Sequence, residues 1–167
     1  MRNILIIFLV MFAASCGDAE NKESTEPTSA DSAQATPTIT ASDCNCFRKI
    51  LQRDTMVAAI INIGDSVTGR LNFDNFEKDG SSGTVHGRQD GDIIKLWYNF
   101  ASEGTNSVME VYFKKDGNQL VRGIGDIGTK GDTAYFTKPG SIQYDDKQAY
   151  EKLPCDSLLP KYRCDTN

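Results

Sequence analysis

From residue 56 onward the chain repeats one pattern: a short run of β-branched and aromatic residues, then a tight turn written in glycine with aspartate or asparagine. Met56 to Ile63 ends at Gly64-Asp65, after which Val67, Gly69, Leu71 and Phe73 alternate with polar neighbours. A polar connection from Asp74 to Ser82 leads to Gly83 to Gln89, the turn Asp90-Gly91, and Ile93 to Phe100. Val108 to Lys114 and Leu120 to Asp126 flank Asp116-Gly117-Asn118, and a last turn at Lys130-Gly131-Asp132 opens on Thr133 to Thr137. Alternation with period 2 places successive side chains on opposite faces of a strand, and glycine supplies the positive φ that tight hairpins need. Seven or eight such strands without a long amphipathic helix predict an all-β domain, an antiparallel meander. Closing the meander into a small lipocalin-like barrel removes its exposed edges. Eight strands enclose a space that side chains fill or that holds one small ligand. Tyr144 to Leu153 is expected to form a short helix capping one end before Pro154-Cys155.

Four cysteines bracket this region in two pairs, Cys44 and Cys46 before it, Cys155 and Cys164 after it. Neither spacing matches a common zinc pattern, and His86 is the chain's one histidine, so disulfides are expected rather than a metal. Cys44 and Cys46 could bridge to each other only with strain, so each is expected to pair with the far end. Both the nested pairing, Cys46 with Cys155 and Cys44 with Cys164, and the crossed one satisfy this.

The N-terminus reads as an address. Met1-Arg2-Asn3 carries one positive charge and Ile4 to Phe12 is continuously apolar, a length that suits a cleaved signal peptide and falls short of the roughly 20 residues a spanning helix needs. Phe12-Ala13-Ala14-Ser15-Cys16 resembles the bacterial lipobox, with Ala13 where that motif most often has leucine. The resemblance implies removal of residues 1–15 and lipidation of Cys16, and Gly17 in place of aspartate after the cysteine points to the outer membrane. An ordinary signal peptide would leave an unpaired thiol in an oxidising compartment, where it is a liability. Residues 17–42 are Ser, Thr, Ala, Pro and acid with no aromatic, a composition that cannot offset its own ordering entropy. A coil of about 26 residues reaches roughly 25–30 Å. The expected organisation is a signal peptide over 1–15, a lipidated tether over 16–42 and a β domain over 43–167.

The middle of the chain carries a broader likeness. Phe76-Glu77-Lys78-Asp79, Gly83-Thr84, Gly87, Gly91-Asp92, Tyr98-Asn99-Phe100, Ser102-Glu103-Gly104 and Val111-Tyr112-Phe113 together resemble a group of small Gram-negative lipoproteins of unassigned function. The likeness covers Cys46 to Cys155 and departs at Ile93, where threonine is the expected residue. It implies an envelope location and a β fold, and brings no substrate or catalytic residue with it.

Candidate chemistry is sparse. Gly123-Ile124-Gly125-Asp126-Ile127-Gly128 spells G-x-G-x-x-G, but a dinucleotide site needs a helix next, and Thr129-Lys130-Gly131-Asp132 is another turn. Asp74 to Gly80 is acidic, yet Phe76 and Lys78 occupy positions where a calcium loop needs oxygen ligands. His86 falls opposite Val85 on its strand, with no serine in a Gly-x-Ser-x-Gly setting to serve, and reads as an exposed strand residue. No cofactor and no metal are expected. A net charge of −5, one unit lower without Arg2, disfavours nucleic acid as a partner.

Two functions follow from this reading. The first is a non-catalytic binding module for a small apolar or amphiphilic ligand, with Trp97 or Tyr98 and the Ile93/Ile94 pair lining one face and Glu103 at the barrel mouth. The second is an interaction or inhibitor lipoprotein that docks an envelope or host protein through the Asp74–Ser82 and Ala101–Asn106 loops. An enzyme is not expected.

Overall fold

A computed structural model describes residues 43–102 and 104–164. The signal peptide, Cys16, the tether and Glu103 lie outside the described residues.

Ten strands follow one another: β1 (Cys44–Leu51), β2 (Asp54–Ile63), β3 (Ser66–Asp74), β4 (Ser81–Asp90), β5 (Ile93–Ser102), β6 (Thr105–Asp116), β7 (Gln119–Ile124), β8 (Ile127–Lys130), β9 (Thr133–Phe136) and β10 (Gln143–Leu153). Each of β1 to β6 pairs antiparallel with the next, β7 pairs with β10, and β10 returns to β1. Eight strands therefore close into an antiparallel barrel, and the hairpin of β8 and β9 hangs outside it, β9 lying parallel to β6 at Val108↔Thr133 and Met109↔Ala134. The turns sit where the sequence puts them, with Gly64, Gly91, Gly117 and Gly131 all at positive φ.

The expected helix over Tyr144 to Leu153 is absent: this stretch is β10, the strand that completes the ring. Its pattern is obscured by a bulge between Tyr144 and Ala149, which breaks the period-2 alternation. Short 3₁₀ turns at Cys155–Ser157 and Pro160–Tyr162 supply the irregular C-terminal tail instead.

The barrel encloses one continuous apolar core. Phe47, Ala58, Ile60, Val67, Leu71, Val85, Ile94, Leu96, Tyr98, Val111, Phe113, Leu120 and Tyr150 fill it, so that every barrel strand sends at least one side chain inward. Each large apolar side chain removed from water contributes about 1.5–3 kcal/mol. β4 can curve around this core because it has Gly83 and Gly87 at inward positions, where a Cβ would run into the carbonyl oxygens of Asn99 and Lys95 on β5.

A second, smaller core lies outside the barrel wall. Val57, Ala59 and Ile61 point outward from β2 and are covered by Leu158 of the tail together with Cys46 and Cys164. Two disulfides hold the tail there, Cys44–Cys164 and Cys46–Cys155, which is the nested pairing.

Candidate functional site

Both ends of the barrel carry inward polar groups. At the end closed by the β2–β3, β4–β5 and β6–β7 turns, Asn62 donates to Gln89 Oε1 at 2.8 Å, Lys115 Nζ donates to the same oxygen at 3.5 Å, and Gln89 Nε2 donates to Gly91 O at 2.8 Å. This set satisfies itself across the mouth of the barrel and lines an open surface cleft of about 550 Å³.

The opposite end is built differently. Arg122 follows Leu120 on the inward face of β7, and its guanidinium crosses the lumen to lie 5.0 Å from the ring of Phe73 on β3. Lys49 follows Phe47 inward on β1, is almost wholly buried, and donates to Gln148 Oε1 at 2.7 Å. Burial, and next the Arg122 charge, hold the Lys49 ammonium below the usual lysine range, with Asp145 opposing. Arg122 forms no ion pair with a carboxylate among the described residues.

Beside these cations stands Tyr150, packed edge-on against Phe113 with ring centres 5.4 Å apart. Its hydroxyl is buried and finds no partner at ideal geometry, but Arg122 stands within side-chain hydrogen-bonding range of it and acts on it both as a donor and as a charge. Burial pushes the Tyr150 phenol above its usual range, and Arg122 works against that rise. Arg122 has only N–H groups to offer, so the phenol oxygen accepts from it and helps to hold the guanidinium in place.

The barrel wall opens next to this cluster. The ladder between β6 and β7 runs from Asp116↔Gln119 to Phe113↔Arg122 and stops, after which β6 turns to β9 for its partner. The parting strands leave a cavity of about 190 Å³ lined by Met109, Val111, Arg122 and Gln148 from the inward side and by Ile124, Ile127 and Phe136 at the surface. The β8–β9 hairpin leans over this gap. It is fixed there by Glu110, which accepts from Phe136 N at 2.7 Å and pairs with Lys95 Nζ at 2.6 Å. Exposed apolar side chains mark the same end of the barrel: Ile50 and Leu51 at the β1–β2 turn, Ile124 and Ile127 beside the gap.

A larger groove, about 280 Å³, runs along Asn72–Asp74, Gly80–Ser82 and Tyr162. Its charges offset one another, for Lys161 stands beside Asp74, which also accepts from the Tyr162 hydroxyl at 2.8 Å.

The residues singled out from the sequence are dispersed. Trp97 and Tyr98 occupy opposite faces of β5, as neighbours in a strand must. Tyr98 is fully buried in the core, stacked on Phe100 with ring centres 4.6 Å apart, its hydroxyl donating to Ser81 Oγ at 3.1 Å. Trp97 faces outward with Lys95 Nζ 5.4 Å from its ring centre. Ile94 is inward and Ile93 is not, so the Ile93/Ile94 pair does not line a single face. His86 is exposed, with Asn99 Nδ2 3.2 Å from its Nδ1. The G-x-G-x-x-G stretch joins the end of β7 to the start of β8, and a strand follows it rather than a helix. The sulfurs of Cys44, Cys46 and Cys155 lie within 4.8 Å of one another, but each is bound in a disulfide and offers no thiolate.

Arg122, Lys49, Gln148 and Tyr150 were not marked by the sequence reading. Two of them had a signal: Arg122 and Lys49 are charges at the inward phase of alternating strands, two residues after Leu120 and Phe47. Comparison with known proteins adds nothing to this geometry: no protein-family description, curated protein or solved structure matches the chain.

Proposed function

We propose that this protein is a non-catalytic binding module, held at the cell envelope by a lipid on Cys16, that takes a small amphiphilic ligand at the open end of its barrel. One observation carries the reading. Two inward cations, Lys49 and Arg122, stand without an acid in contact, next to a cavity that reaches the surface where β6 and β7 part. Charge turned into an apolar lumen is costly unless something compensates it. At the other end of the barrel the inward polar groups bond to one another instead.

The size of the cavity limits the ligand. About 190 Å³ lies below the roughly 300–1,000 Å³ of a typical small-molecule site. The core fills the rest of the lumen, so the deep cup of a hollow barrel is not available, and the ligand inserts only one end. The remainder would lie against Ile124, Ile127 and Phe136 at the gap.

Native mass spectrometry of the full-length protein, taken gently from its own membrane, tests the proposal. A reproducible non-covalent mass, released on denaturation as a small amphiphile, is the expected result. A protein that is always found empty overturns it. The filled core favours a second reading, in which the Asp74–Ser82 and Ala101–Asn106 loops dock a protein partner. These loops lie together, since Ser82 is paired with Ala101, and an empty barrel would shift the weight to them.

A further inference from the structure

We propose that the group recognised at this end is a carboxylate on a short aliphatic chain, gripped by the Arg122 guanidinium, with the Gln148 amide as a further donor and the Tyr150 hydroxyl behind Arg122 as a positioning group. The inference rests on the ligand-binding reading above and names what that site selects.

Four features point to a small anion. Arg122 brings a planar fork of N–H donors into the lumen, and one edge of such a fork matches the two oxygens of a carboxylate. Tyr150 is about 1% exposed and does not line the cavity, but its hydroxyl lies within hydrogen-bonding range of Arg122 and steadies the guanidinium that does. Gln148 Oε1 is taken by Lys49, which turns its amide into a donor for anything else that approaches. Finally, Lys49 holds a second positive charge against Arg122 in a nearly dry place. Two like charges repel strongly at low dielectric, and an anion between them and the gap relieves the repulsion.

The surroundings narrow the anion further. Met109, Val111 and Phe136 make apolar walls of the cavity, which leave room for a few carbons behind a small head group; Glu110, which also lines it, has its charge met by Lys95 and Phe136 N. A doubly charged phosphate would have to shed far more water to enter, with one guanidinium and one weakened ammonium to receive it. A carboxylate sheds less and fits the fork. A cation is disfavoured by both charges, and a neutral alcohol cannot use the fork.

The test uses the full-length protein in lipid nanodiscs, titrated calorimetrically with hexanoate, hexanol and hexylammonium, with empty nanodiscs subtracted. Hexanoate is expected to bind one to one and at least tenfold more tightly than hexanol, with hexylammonium weakest. Arg122→Gln is expected to remove that tenfold preference, and Arg122→Lys, which keeps the charge but not the fork, to restore only part of it. Tyr150→Phe keeps the ring packed on Phe113 and removes only the hydroxyl. It is expected to weaken hexanoate severalfold without lowering Tm, a result that a purely structural role for the hydroxyl would not give. If hexanol binds as tightly as hexanoate, or if Arg122→Gln and Tyr150→Phe leave the preference intact, the carboxylate assignment is overturned while the binding module stands. If none of the three probes binds, both fall.

Discussion

The two ends of the barrel use the same kinds of side chain to opposite effect. At the plugged end Asn62, Gln89 and Lys115 turn inward and bond to one another. At the open end Lys49 and Gln148 form one such bond, but Arg122 meets no carboxylate and only the Tyr150 hydroxyl, beside a gap in the wall. The plugged end is also the tied end. The backbone N–H of Gln89 donates to Asp65 O at 2.8 Å and that of Lys115 to Asp92 O at 2.7 Å, so neighbouring turns are laced together. The disulfides attach to β1 at Cys44 and Cys46, where that strand begins, and the Lys49 end is where it finishes. Polar groups in a barrel interior thus serve stability where they are mutually satisfied. Where they are not, the fold carries strain that a ligand can relieve.

The largest effect expected from breaking this contrast is loss of the staples. The sulfurs close loops of 120 and 109 residues, one inside the other. In the chain-entropy model removing both costs about 7 kcal/mol, but removing either alone costs only about 3, because the survivor still closes the long loop. Urea denaturation of the two paired Cys→Ser variants and of the quadruple variant measures this; single losses that add up to the loss of the quadruple variant would contradict the nested picture.

Next in size is the curvature of β4. Gly87→Ala, toward the plugged end, and Gly83→Ala, toward the open end, each force a Cβ onto the backbone of β5 and should cost about 1–3 kcal/mol. A markedly smaller loss for Gly83→Ala would reveal an open end loose enough to yield.

Substitutions of opposite sign at the two ends test the comparison directly. Gln89→Ala removes the shared acceptor of the plug and should lower stability by about 1 kcal/mol. Lys49→Met removes a buried charge facing Arg122 and should raise stability by about 1 kcal/mol. Denaturation midpoints that move in the same direction for both would end the distinction between the two ends.

The smallest effect is the pH dependence. The folded-state pKa of Lys49 is depressed, so just below pH 10.5 the unfolded chain binds more protons at this residue and stability rises with pH. Lys95 has the opposite sign: its hydrogen bond to Glu110 holds its pKa above 10.5, and the stability it contributes is lost as pH rises through that higher value. Partial exposure of Lys95 makes its share small. The buried Tyr98 and Tyr150 phenols, raised above their usual range by burial, act in the same sense as Lys95 above pH 10. Chemical denaturation across the alkaline range should therefore show a shallow rise and then a fall, and Lys49→Met should keep only the fall.

Much of the fold was legible from spacing. Six of the barrel strands, the glycine turns and the β8–β9 hairpin follow from period-2 runs and local turn chemistry, both of which act within a few residues. β10 was misread as a helix because its bulge shifts the inward residues partway along, and its role depends on partners more than a hundred residues away in β1. The site was legible only in fragments. Alternation places Arg122 and Lys49 inward, but whether an inward charge meets an acid, a plug or a gap depends on which strands lie across the lumen. Trp97 and Tyr98 drew attention as large aromatics, and the strand pleat itself separates them.

Local physics, written in the order of residues, determined that this chain makes short antiparallel strands, where it turns, and that its cysteines staple the two ends of one domain. Tertiary structure alone decided that the β6–β7 ladder stops at Arg122, that β10 closes the ring, and that Lys49, Arg122 and Tyr150 converge at one end, with Arg122 facing the gap in the wall. Strand pairing is set by short-range pattern, whereas the balance of charge and hydrogen bonding inside a closed barrel is a property of strands that meet only after the ring has formed.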